Sequence, residues 1–262
     1  MLAVSEAIDN FTVTREKRAS AYNMPEAHYH DHYEIYFLLS GKVRYFIDDK
    51  VFDLSEGDIV LIPPHVIHKT ATLESRGAER ILIAFTANFI MRRPAEKIFA
   101  CFGARCFRKP GIEELVLSAE YESALSDPYS EELIAGYIRE ILIKLTRIYD
   151  KDLKPEGMSV NPFVEEAVHY ISDNFSGDIT LSALAEKAAM SASHFSRMFK
   201  AYTGFGVSEY ITLVRIKNAE ILLLTEDITV TEAAARCGFN SSSYFTSVFR
   251  KVRGFTPKKL RT

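Results

Sequence analysis

The stretch SASHFSRMFKAYTGF at residues 191–205 recurs 50 positions later as SSSYFTSVFRKVRGF at residues 241–255. Both copies place apolar residues at helical spacing, a cation on the opposite face and a glycine near the end. Any two amphipathic helices joined by a tight turn resemble one helix-turn-helix motif, so a single match is weak. Two copies in register are far more specific. They predict a pair of helix-turn-helix motifs.

Each copy predicts a supporting helix followed by a recognition helix, at about 181–202 and about 230–253. Upstream of the two copies, the same offset matches Ala183 and Ala185 with Ala233 and Ala235. A duplicated helical hairpin that binds no nucleic acid is the alternative interpretation.

The second helix of each copy exposes short hydrogen-bonding side chains and cations on one face. Such side chains suit base edges and phosphates in a major groove. The candidate DNA-binding residues are Ser193, Ser196, Arg197, Lys200, Ser242, Ser243, Thr246, Ser247 and Arg250.

Residues 207–224 predict one continuous helix between the copies. At 1.5 Å per residue it spans roughly 27 Å, close to the separation of about 34 Å between successive major-groove faces. A rigid spacer of this length suits two recognition helices that read one side of a duplex. The C-terminal domain is therefore predicted to be an all-α bundle with two helix-turn-helix motifs joined by a long linker helix.

Basic charge is concentrated at the C-terminal end, although the whole chain has a formal net charge of −3. No acidic residue follows Glu232, whereas seven basic residues do: Arg236, Arg250, Lys251, Arg253, Lys258, Lys259 and Arg261. Basic residues next to a helix that suits the major groove predict contacts with DNA phosphates.

Cysteine usage and hydropathy indicate the compartment. Cys101, Cys106 and Cys237 show no paired framework or metal-binding spacing, which favours a reducing cytoplasm. The N-terminus lacks the features of a signal peptide, and no apolar run approaches membrane-spanning length. We therefore expect a cytoplasmic protein with no membrane partner.

The N-terminal half predicts a β-rich domain. Five short runs separated by turns are typical of strands: YEIYFLLS, KVRYFID, KVFDL, GDIVLIP and ERILIAF, all within residues 33–87. Evenly spaced short strands of this kind indicate a jelly-roll-like β-barrel, at about residues 10–90.

Two helices are predicted after the barrel, at residues 112–126 and 130–149. The second carries a heptad-like aliphatic seam: Ile134, Ile138, Ile141, Leu145 and Ile148. Packing on the barrel accounts for part of this seam, and we expect the rest to form a homodimer. The polar stretch at 151–161 predicts a linker that separates residues 1–150 from residues 162–262.

Histidine and glutamate spacing on the barrel forms a second pattern. His28, His30 and Glu34 follow H-x-H-x3-E, and residues 57–68 follow G-x5-P-x4-H, which ends at His68. This pattern resembles the two motifs of cupin barrels, in which these four positions bind one divalent metal ion. Two histidines two residues apart share one face of a strand, so their imidazoles can chelate.

The cupin resemblance implies a metal site at His28, His30, Glu34 and His68 for zinc, nickel, iron or manganese. This chain departs from the pattern because His65 replaces the usual glycine and no Asn follows the last histidine. Sensor barrels of this kind also keep histidine and glutamate at these positions without binding a metal ion. The alternative is therefore that these side chains contact an effector or form hydrogen bonds in the core.

Residues 162–262 resemble the DNA-binding domain of the AraC/XylS family of bacterial transcription regulators. The resemblance is carried by Leu184-Ala185-Glu186, Met190-Ser191, residues 195–200, Gly204, Arg215, Ala219, Ala234, Gly238-Phe239, Ser243-Tyr244-Phe245, Phe249-Arg250-Lys251, residues 254–257 and Arg261. Arg250 replaces the family's usual Lys and Leu260 its common Tyr. The first recognition helix is usually the stronger base reader in this family, a role that Ser193, Ser196 and Arg197 would inherit.

These resemblances imply a transcription regulator, not an enzyme, in which a cupin-like sensor and dimerisation domain precedes a tandem helix-turn-helix reader. The expected partners are double-stranded DNA, a second copy of the chain and a small-molecule effector in the barrel, with a sugar or related metabolite as the leading candidate. RNA polymerase is a further partner that the sequence leaves undecided. Two alternatives remain: a metal-dependent cupin enzyme with an appended helical domain, and a constitutive regulator whose barrel only dimerises.

Overall fold

The computed structural model describes residues 8–19, 29–48, 50–74, 76–90, 96–125, 127–152, 158–159 and 161–261. Its strands are β1 (Phe11–Arg18), β2 (Tyr33–Ser40), β3 (Lys42–Ile47), β4 (Lys50–Ser55), β5 (Ile59–Ile62), β6 (His68–Thr72), β7 (Ala78–Phe85), β8 (Cys106–Phe107) and β9 (Met158–Ser159). Its α-helices are α1 (Ala87–Ile90), α2 (Glu113–Leu125), α3 (Ser130–Asp152), α4 (Pro162–Asn174), α5 (Leu181–Lys187), α6 (Ala192–Thr203), α7 (Val207–Thr225), α8 (Val230–Arg236) and α9 (Ser242–Arg253). Short 3₁₀ helices occupy Glu96–Gly103 and Pro257–Arg261.

The strands form two antiparallel sheets. A five-stranded sheet has the order β1-β7-β2-β5-β8, and a four-stranded sheet has the order β6-β3-β4-β9. The predicted fold class is confirmed: a β-rich N-terminal domain with flanking helices precedes an all-α domain with two helix-turn-helix motifs.

Five strands coincide with the predicted runs, whereas β1, β6, β8 and β9 do not appear among them. These four strands are polar or very short, and they exist because they pair with distant segments. For example, β6 pairs antiparallel with β3, placing Thr70 opposite Tyr45 and His68 opposite Ile47. Pairing between distant segments leaves little mark on the local sequence.

Both sheets bury residues on both faces of their central strands. Successive side chains of a strand point to opposite faces. In β2, Tyr36 and Leu38 therefore point into the space between the sheets, while Ile35 and Phe37 pack against α2 and α3. In the four-stranded sheet, Tyr45 points inward and Phe46 packs against the C-terminal domain. The order of layers is thus helices, sheet, sheet and C-terminal domain.

The predicted dimer seam on α3 lies inside the chain. Ile134, Ile138, Ile141 and Leu145 are at most 1% exposed and pack against the five-stranded sheet. Their heptad-like spacing arises because a helix that covers a sheet must bury one continuous stripe. The prediction that these side chains form the dimer interface is therefore wrong.

The predicted linker at 151–161 falls largely outside the described residues. Within the described part, α3 extends to Asp152, and β9 pairs with β4 by placing Met158 opposite Val51 and Ser159 opposite Lys50. The two residues of β9 therefore join the sensor sheet.

The two helix-turn-helix motifs are separated by a different number of residues in their supporting helices than in their recognition helices. The paired supporting helices α5 and α8 start at Leu181 and Val230, which is an offset of 49, whereas α6 and α9 start at Ala192 and Ser242, an offset of 50. The buried pair Leu184 and Ala185 thus corresponds to Ala233 and Ala234. The match of Ala183 and Ala185 with Ala233 and Ala235 is wrong by one position, because the second turn contains one more residue.

Helix α7 joins the two motifs through Arg215. The Arg215 side chain donates hydrogen bonds to the carbonyl oxygens of Phe175 and Gly177, each at 2.7 Å. These carbonyls lie in the connection between α4 and α5, which leads into the first motif. The turn of the second motif also lies against this side chain, because a Cβ built at Gly238 would lie 3.1 Å from Arg215 Cζ.

Replacing Gly238 by alanine should destabilise the C-terminal domain by more than backbone strain alone. Gly238 has φ +79°, and an added Cβ would lie 2.7 Å from the Ser176 carbonyl oxygen. The left-handed conformation costs an L-residue about 1–2 kcal/mol, and the backbone contact adds to this cost. Thermal unfolding of Gly238→Ala measures the total.

Gly111→Ala is the matched control because Gly111 has φ +73° and no atom within 4 Å of its added Cβ. We expect the melting temperature to fall further for Gly238→Ala than for Gly111→Ala. Equal decreases would mean that the contact with Ser176 is unimportant.

Candidate nucleic-acid interface and metal centre

The two recognition helices, α6 and α9, begin and end in the same way. The Ser191 hydroxyl accepts a hydrogen bond from the backbone N–H of His194, and the Ser241 hydroxyl accepts one from Tyr244. At the other end, Gly204 and Gly254 adopt φ +79° and +78° and terminate the helices. Serine caps and left-handed glycine caps satisfy the backbone groups that a helix end leaves unpaired.

The two recognition helices also share one pattern of exposure. In each copy the burial of the ten residues from the N-cap onward is identical, position by position. Of the predicted DNA-binding residues, the exposed ones are Ser193, Arg197, Lys200, Ser243, Ser247 and Arg250, and the half-buried ones are Ser196, Ser242 and Thr246. The structure thus brings the predicted residues of each copy onto one helix face.

Two exposed residues of these faces were missed by the sequence analysis. His194 and Tyr244 are exposed at matching positions in the first turns of α6 and α9, and Tyr244 is 57% exposed. An exposed aromatic residue at the start of a recognition helix can contact bases or the sugar–phosphate backbone. Their matching positions in the repeat, next to Ser193 and Ser243, are the feature that could have identified them.

Arg197 is held across one turn of α6. Its guanidinium donates to the Ser193 hydroxyl at 3.3 Å, and the pair is exposed. A guanidinium has five donors, so this bond leaves donors that can reach a guanine edge.

A buried polar cluster lies inside the barrel. His30, Glu34 and His68 each place a ligand-type atom within 4.8 Å of the others, and all three side chains are buried. The fourth predicted ligand, His28, lies outside the described residues. Glu34 and His68 face inward from β2 and β6 of opposite sheets, whereas His30 precedes β2. The structure therefore brings together three of the four predicted metal ligands.

Hydrogen bonds orient both histidines. His30 Nδ1 lies 2.9 Å from the carbonyl oxygen of His32, and His68 Nδ1 lies 2.8 Å from that of Val66. A carbonyl only accepts, so both Nδ1 atoms carry protons. His30 Nε2 then lies 3.1 Å from Glu34 Oε2, and Tyr45 donates its hydroxyl to Glu34 Oε1 at 3.1 Å.

Glu34 is ionised in this cluster. Burial alone would raise the pKa of its carboxyl, but the hydrogen bond with His30 and the attraction of His68, His30 and Arg80 outweigh burial and hold this pKa well below its usual range. Burial and the charge of Glu34 raise the pKa of Tyr45 well above its usual value, so Tyr45 stays a hydroxyl donor. The cluster thus presents a carboxylate to its two imidazoles.

The last residue of α9 connects the two domains. Arg253 is 2% exposed and donates through Nε to Glu220 Oε1 at 2.9 Å. Its Nη2 donates to both carboxylate oxygens of Asp31, at 2.6 and 2.8 Å. Arg253 is therefore a structural cation of the domain interface, and its expected role in phosphate binding is wrong.

Neighbouring contacts complete the domain interface. The Tyr29 hydroxyl donates to Glu220 Oε2 at 2.6 Å, and Lys69 Nζ donates to the Gly204 carbonyl oxygen at 2.7 Å. Phe46 packs its ring 5.6 Å from that of Phe205. Residues of both domains thus share one buried core at this interface.

Comparison with known proteins identifies both domains. Residues 12–96 match the family described as the AraC-like ligand binding domain, and residues 184–262 match the helix-turn-helix domain family. The chain belongs to the AraC/XylS family of transcription regulators. The prediction of a DNA-binding regulator is thereby confirmed.

Two regulatory proteins align with most of this chain, and one solved structure aligns with its C-terminal part. The Msm operon regulatory protein of Streptococcus mutans is 24% identical over 88% of this chain and 84% of its own length. The melibiose operon regulatory protein of Escherichia coli is 22% identical over 91% and 84%. The C-terminal domain of AraT, a response regulator from Geobacillus stearothermophilus, is 34% identical, covers 39% of this chain and 85% of its own, and has a TM-score of 0.38.

These relatives are regulatory proteins, which agrees with the prediction that the chain is not an enzyme and gives the cupin-enzyme alternative no support. Among the described residues, no helix combines the length and the apolar character that a membrane crossing needs.

Arg197→Ala should weaken binding to a selected DNA site by about 1–3 kcal/mol, because a guanidinium on the exposed face of α6 can bond a guanine edge bidentately. Fluorescence anisotropy on selected and on random DNA measures the change. Arg147→Ala is the control, since it removes an exposed cation from α3. Equal weakening on both DNAs would reassign Arg197 to a phosphate contact.

Proposed function

We propose that α6 and α9 bind successive major grooves on one side of a DNA duplex and that a small molecule bound by the N-terminal domain controls this binding. The observation that carries the proposal is the identical exposure of two capped recognition helices, combined with a buried interface that joins them to the sensor domain. We also propose that the regulator acts in the cytoplasm.

The spacer helix supports binding on one side of the duplex. Helix α7 contains 19 residues, so it spans about 28 Å, close to the separation of about 34 Å between successive major grooves. Its residues are buried between the two motifs, among them Ile211, Val214 and Ile216. A packed helix keeps the distance between α6 and α9 constant, which specifies a site of defined length.

A site selected from random duplexes tests this geometry. We expect the selected sequences to contain two conserved blocks about one helical turn apart, and footprinting to protect one side of the duplex. Changing Ser193 and Arg197 should alter the block bound by α6, whereas changing Ser243 and Ser247 should alter the other block. A single conserved block affected by only one helix would contradict the proposal.

We propose that the effector is a sugar or a related polyhydroxylated metabolite. One relative is named for the melibiose operon, which supports carbohydrates as the first class to examine. The barrel interior offers buried donors and acceptors suited to hydroxyl groups, namely Tyr36, Tyr45 and Arg80 beside Glu34.

Melibiose, galactose and glucose are the first probes in a thermal-shift panel of mono- and disaccharides. We expect at least one carbohydrate to raise the melting temperature and to change the affinity for the selected DNA. The Tyr45→Phe variant should lose part of this response. If sugars fail while acidic or aromatic metabolites shift the melting temperature, the carbohydrate assignment is wrong.

Because some relatives are named transcriptional activators, we propose that this regulator activates transcription and contacts RNA polymerase when bound beside a promoter. Transcription reconstituted with the purified chain, polymerase and a selected site upstream of a promoter should rise. A fall in transcript would identify a repressor.

We propose that two copies associate through the outer surface at the α2–α3 turn. Large apolar side chains are exposed there: Tyr121 63%, Leu125 49%, Tyr129 73% and Leu133 44%. Contiguous exposed apolar side chains are typical of protein interfaces. Leu133 lies on α3, the helix predicted for dimerisation, but outside the buried seam, whereas Tyr121 and Leu125 lie on α2 and Tyr129 in the turn.

The double variant Leu125→Glu, Leu133→Glu should give a folded monomer, because charged side chains at a self-complementary interface meet their own copies. Sedimentation velocity measures the mass and circular dichroism the fold. Leu73→Glu is the control, since Leu73 is also 44% exposed but lies outside this surface. An unchanged sedimentation coefficient in the double variant would exclude this interface.

A further inference from the structure

We propose that His30, Glu34 and His68 bind a divalent transition-metal ion, and that the DNA-binding domain responds to this ion through the chain neighbours of the two histidines. The inference rests on the proposed DNA-binding function and adds a second ligand to it.

The hydrogen bonds of the cluster favour a cation at its centre. The Nδ1 atoms of both rings bond backbone carbonyl oxygens, which turns the other side of each ring toward the cluster. His30 Nε2 lies 3.1 Å from Glu34 Oε2, and the ring centre of His68 lies 4.9 Å from that of His30. Two ring nitrogens and a carboxylate oxygen, the kinds of atom that bind divalent transition metals, therefore converge in one buried space.

One metal ion would satisfy all three groups at once. Two imidazoles and one carboxylate are a common ligand set for zinc and other divalent transition metals. Metal-binding histidines usually donate their second ring N–H to a carbonyl or carboxylate, as His30 and His68 do to His32 and Val66. The hydrogen bond from Tyr45 engages Oε1 of Glu34, so Oε2 can face the ion.

The distances also fit a metal site. Ligand bonds of about 2.0–2.2 Å place the ligands of a tetrahedral ion about 3.4 Å apart. His30 Nε2 and Glu34 Oε2 are 3.1 Å apart, and the three ligand atoms all lie within 4.8 Å of one another. Binding would therefore draw His68 and the His30–Glu34 pair together by at most about 1.4 Å.

The neighbours of His30 contact the second recognition helix. Tyr29 and Asp31 flank His30, and Arg253 at the end of α9 donates to the Tyr29 carbonyl oxygen at 3.3 Å and to the Asp31 carboxylate at 2.6 Å. Tyr29 also donates to Glu220 of α7. A movement of His30 must therefore move groups that are bonded to α9 and α7.

The neighbour of His68 contacts the first recognition helix. Because side chains alternate along β6, His68 points into the barrel and Lys69 points to the other domain. Lys69 Nζ donates to the carbonyl oxygen of Gly204, the residue that terminates α6, and lies 5.0 Å above the Phe205 ring. Both metal-ligating histidines are thus one residue away from contacts to the ends of the recognition helices.

This arrangement couples metal binding to DNA binding. An ion that changes the positions of Asp31 and Lys69 binds one placement of the DNA-binding domain against the sensor domain better than another, and it shifts the population by that difference in affinity. The coupling is reciprocal, so bound DNA changes the affinity for the ion by the same factor.

Metal binding is tested on the full chain purified without a metal-affinity tag. We expect elemental analysis and calorimetry with Zn²⁺ to give about one equivalent per chain, and Co²⁺ to give the absorption bands of a low-coordinate site. His30→Ala and Glu34→Gln should each weaken Zn²⁺ binding at least about tenfold. His169→Ala, which removes an exposed histidine of α4, is the control.

Equal Zn²⁺ binding by the wild type, His30→Ala and Glu34→Gln would overturn the metal centre. Circular dichroism of each variant establishes that the fold is retained. Metal-free chain that still binds its selected DNA would leave the proposed DNA-binding function intact, so the two failures are distinguishable.

Coupling is tested by the affinity for selected DNA with and without Zn²⁺. We expect Zn²⁺ to change the dissociation constant of the wild type at least about fivefold. Asp31→Asn and Lys69→Met should keep one equivalent of Zn²⁺ and lose most of this change, because their contacts with Arg253 and Gly204 are weakened or removed. Glu79→Gln, which weakens the ion pair of Glu79 with Arg15 in the five-stranded sheet, is the control and should keep the change.

A wild type that binds Zn²⁺ with no change in DNA affinity would overturn the coupling. An effect that persists undiminished in both Asp31→Asn and Lys69→Met would overturn the route through these contacts.

Discussion

The four-stranded sheet serves both domains: one side closes the barrel, and Phe46, Val51 and Lys69 on the other side pack on the DNA-binding domain. In a strand the side chains alternate between the two faces. Every second residue of β3, β4 and β6 therefore points into the sensor interior, and some of the residues between them contact the other domain. Tyr45 with Phe46 and His68 with Lys69 are such pairs. A displacement inside the barrel reaches the other domain through a single residue step, without any intervening loop.

Arg253 gives the interface its specificity. A guanidinium that is 2% exposed is costly to bury unless charged partners compensate it, and Glu220 and Asp31 do so from the two domains. Removing one partner of a buried pair typically costs about 3–5 kcal/mol. Since Asp31 itself is largely exposed, the contact across the domains is the weaker half of this network. The weaker half is the part that a ligand can change while Arg253 and Glu220 stay paired within the DNA-binding domain.

The duplicated motif shows which features of a helix-turn-helix are needed twice. Serine caps, buried phenylalanines and left-handed glycines recur in both copies because they determine where each recognition helix begins, packs and ends. The turns differ by one residue, and the exposed faces differ in chemistry, with His194 and Arg197 in one and Tyr244 and Ser247 in the other. The packing of the two helices is therefore equivalent, while the bases that they can contact differ.

The sequence by itself determined the two domains, the paired motifs, the strands with alternating apolar residues and three of the four predicted metal-site residues that the structure brings together. These features follow from local periodicity and from turn and cap residues, which act within a few positions of the chain. Tertiary structure alone decided that Ile141 and Leu145 lie in the core, that Arg253 is an interface cation, and that β6 is a strand. In each case the partner comes from a distant segment, such as the five-stranded sheet, Asp31 or β3. A heptad-like seam, a basic residue or a polar pentapeptide has the same local sequence whichever partner buries it.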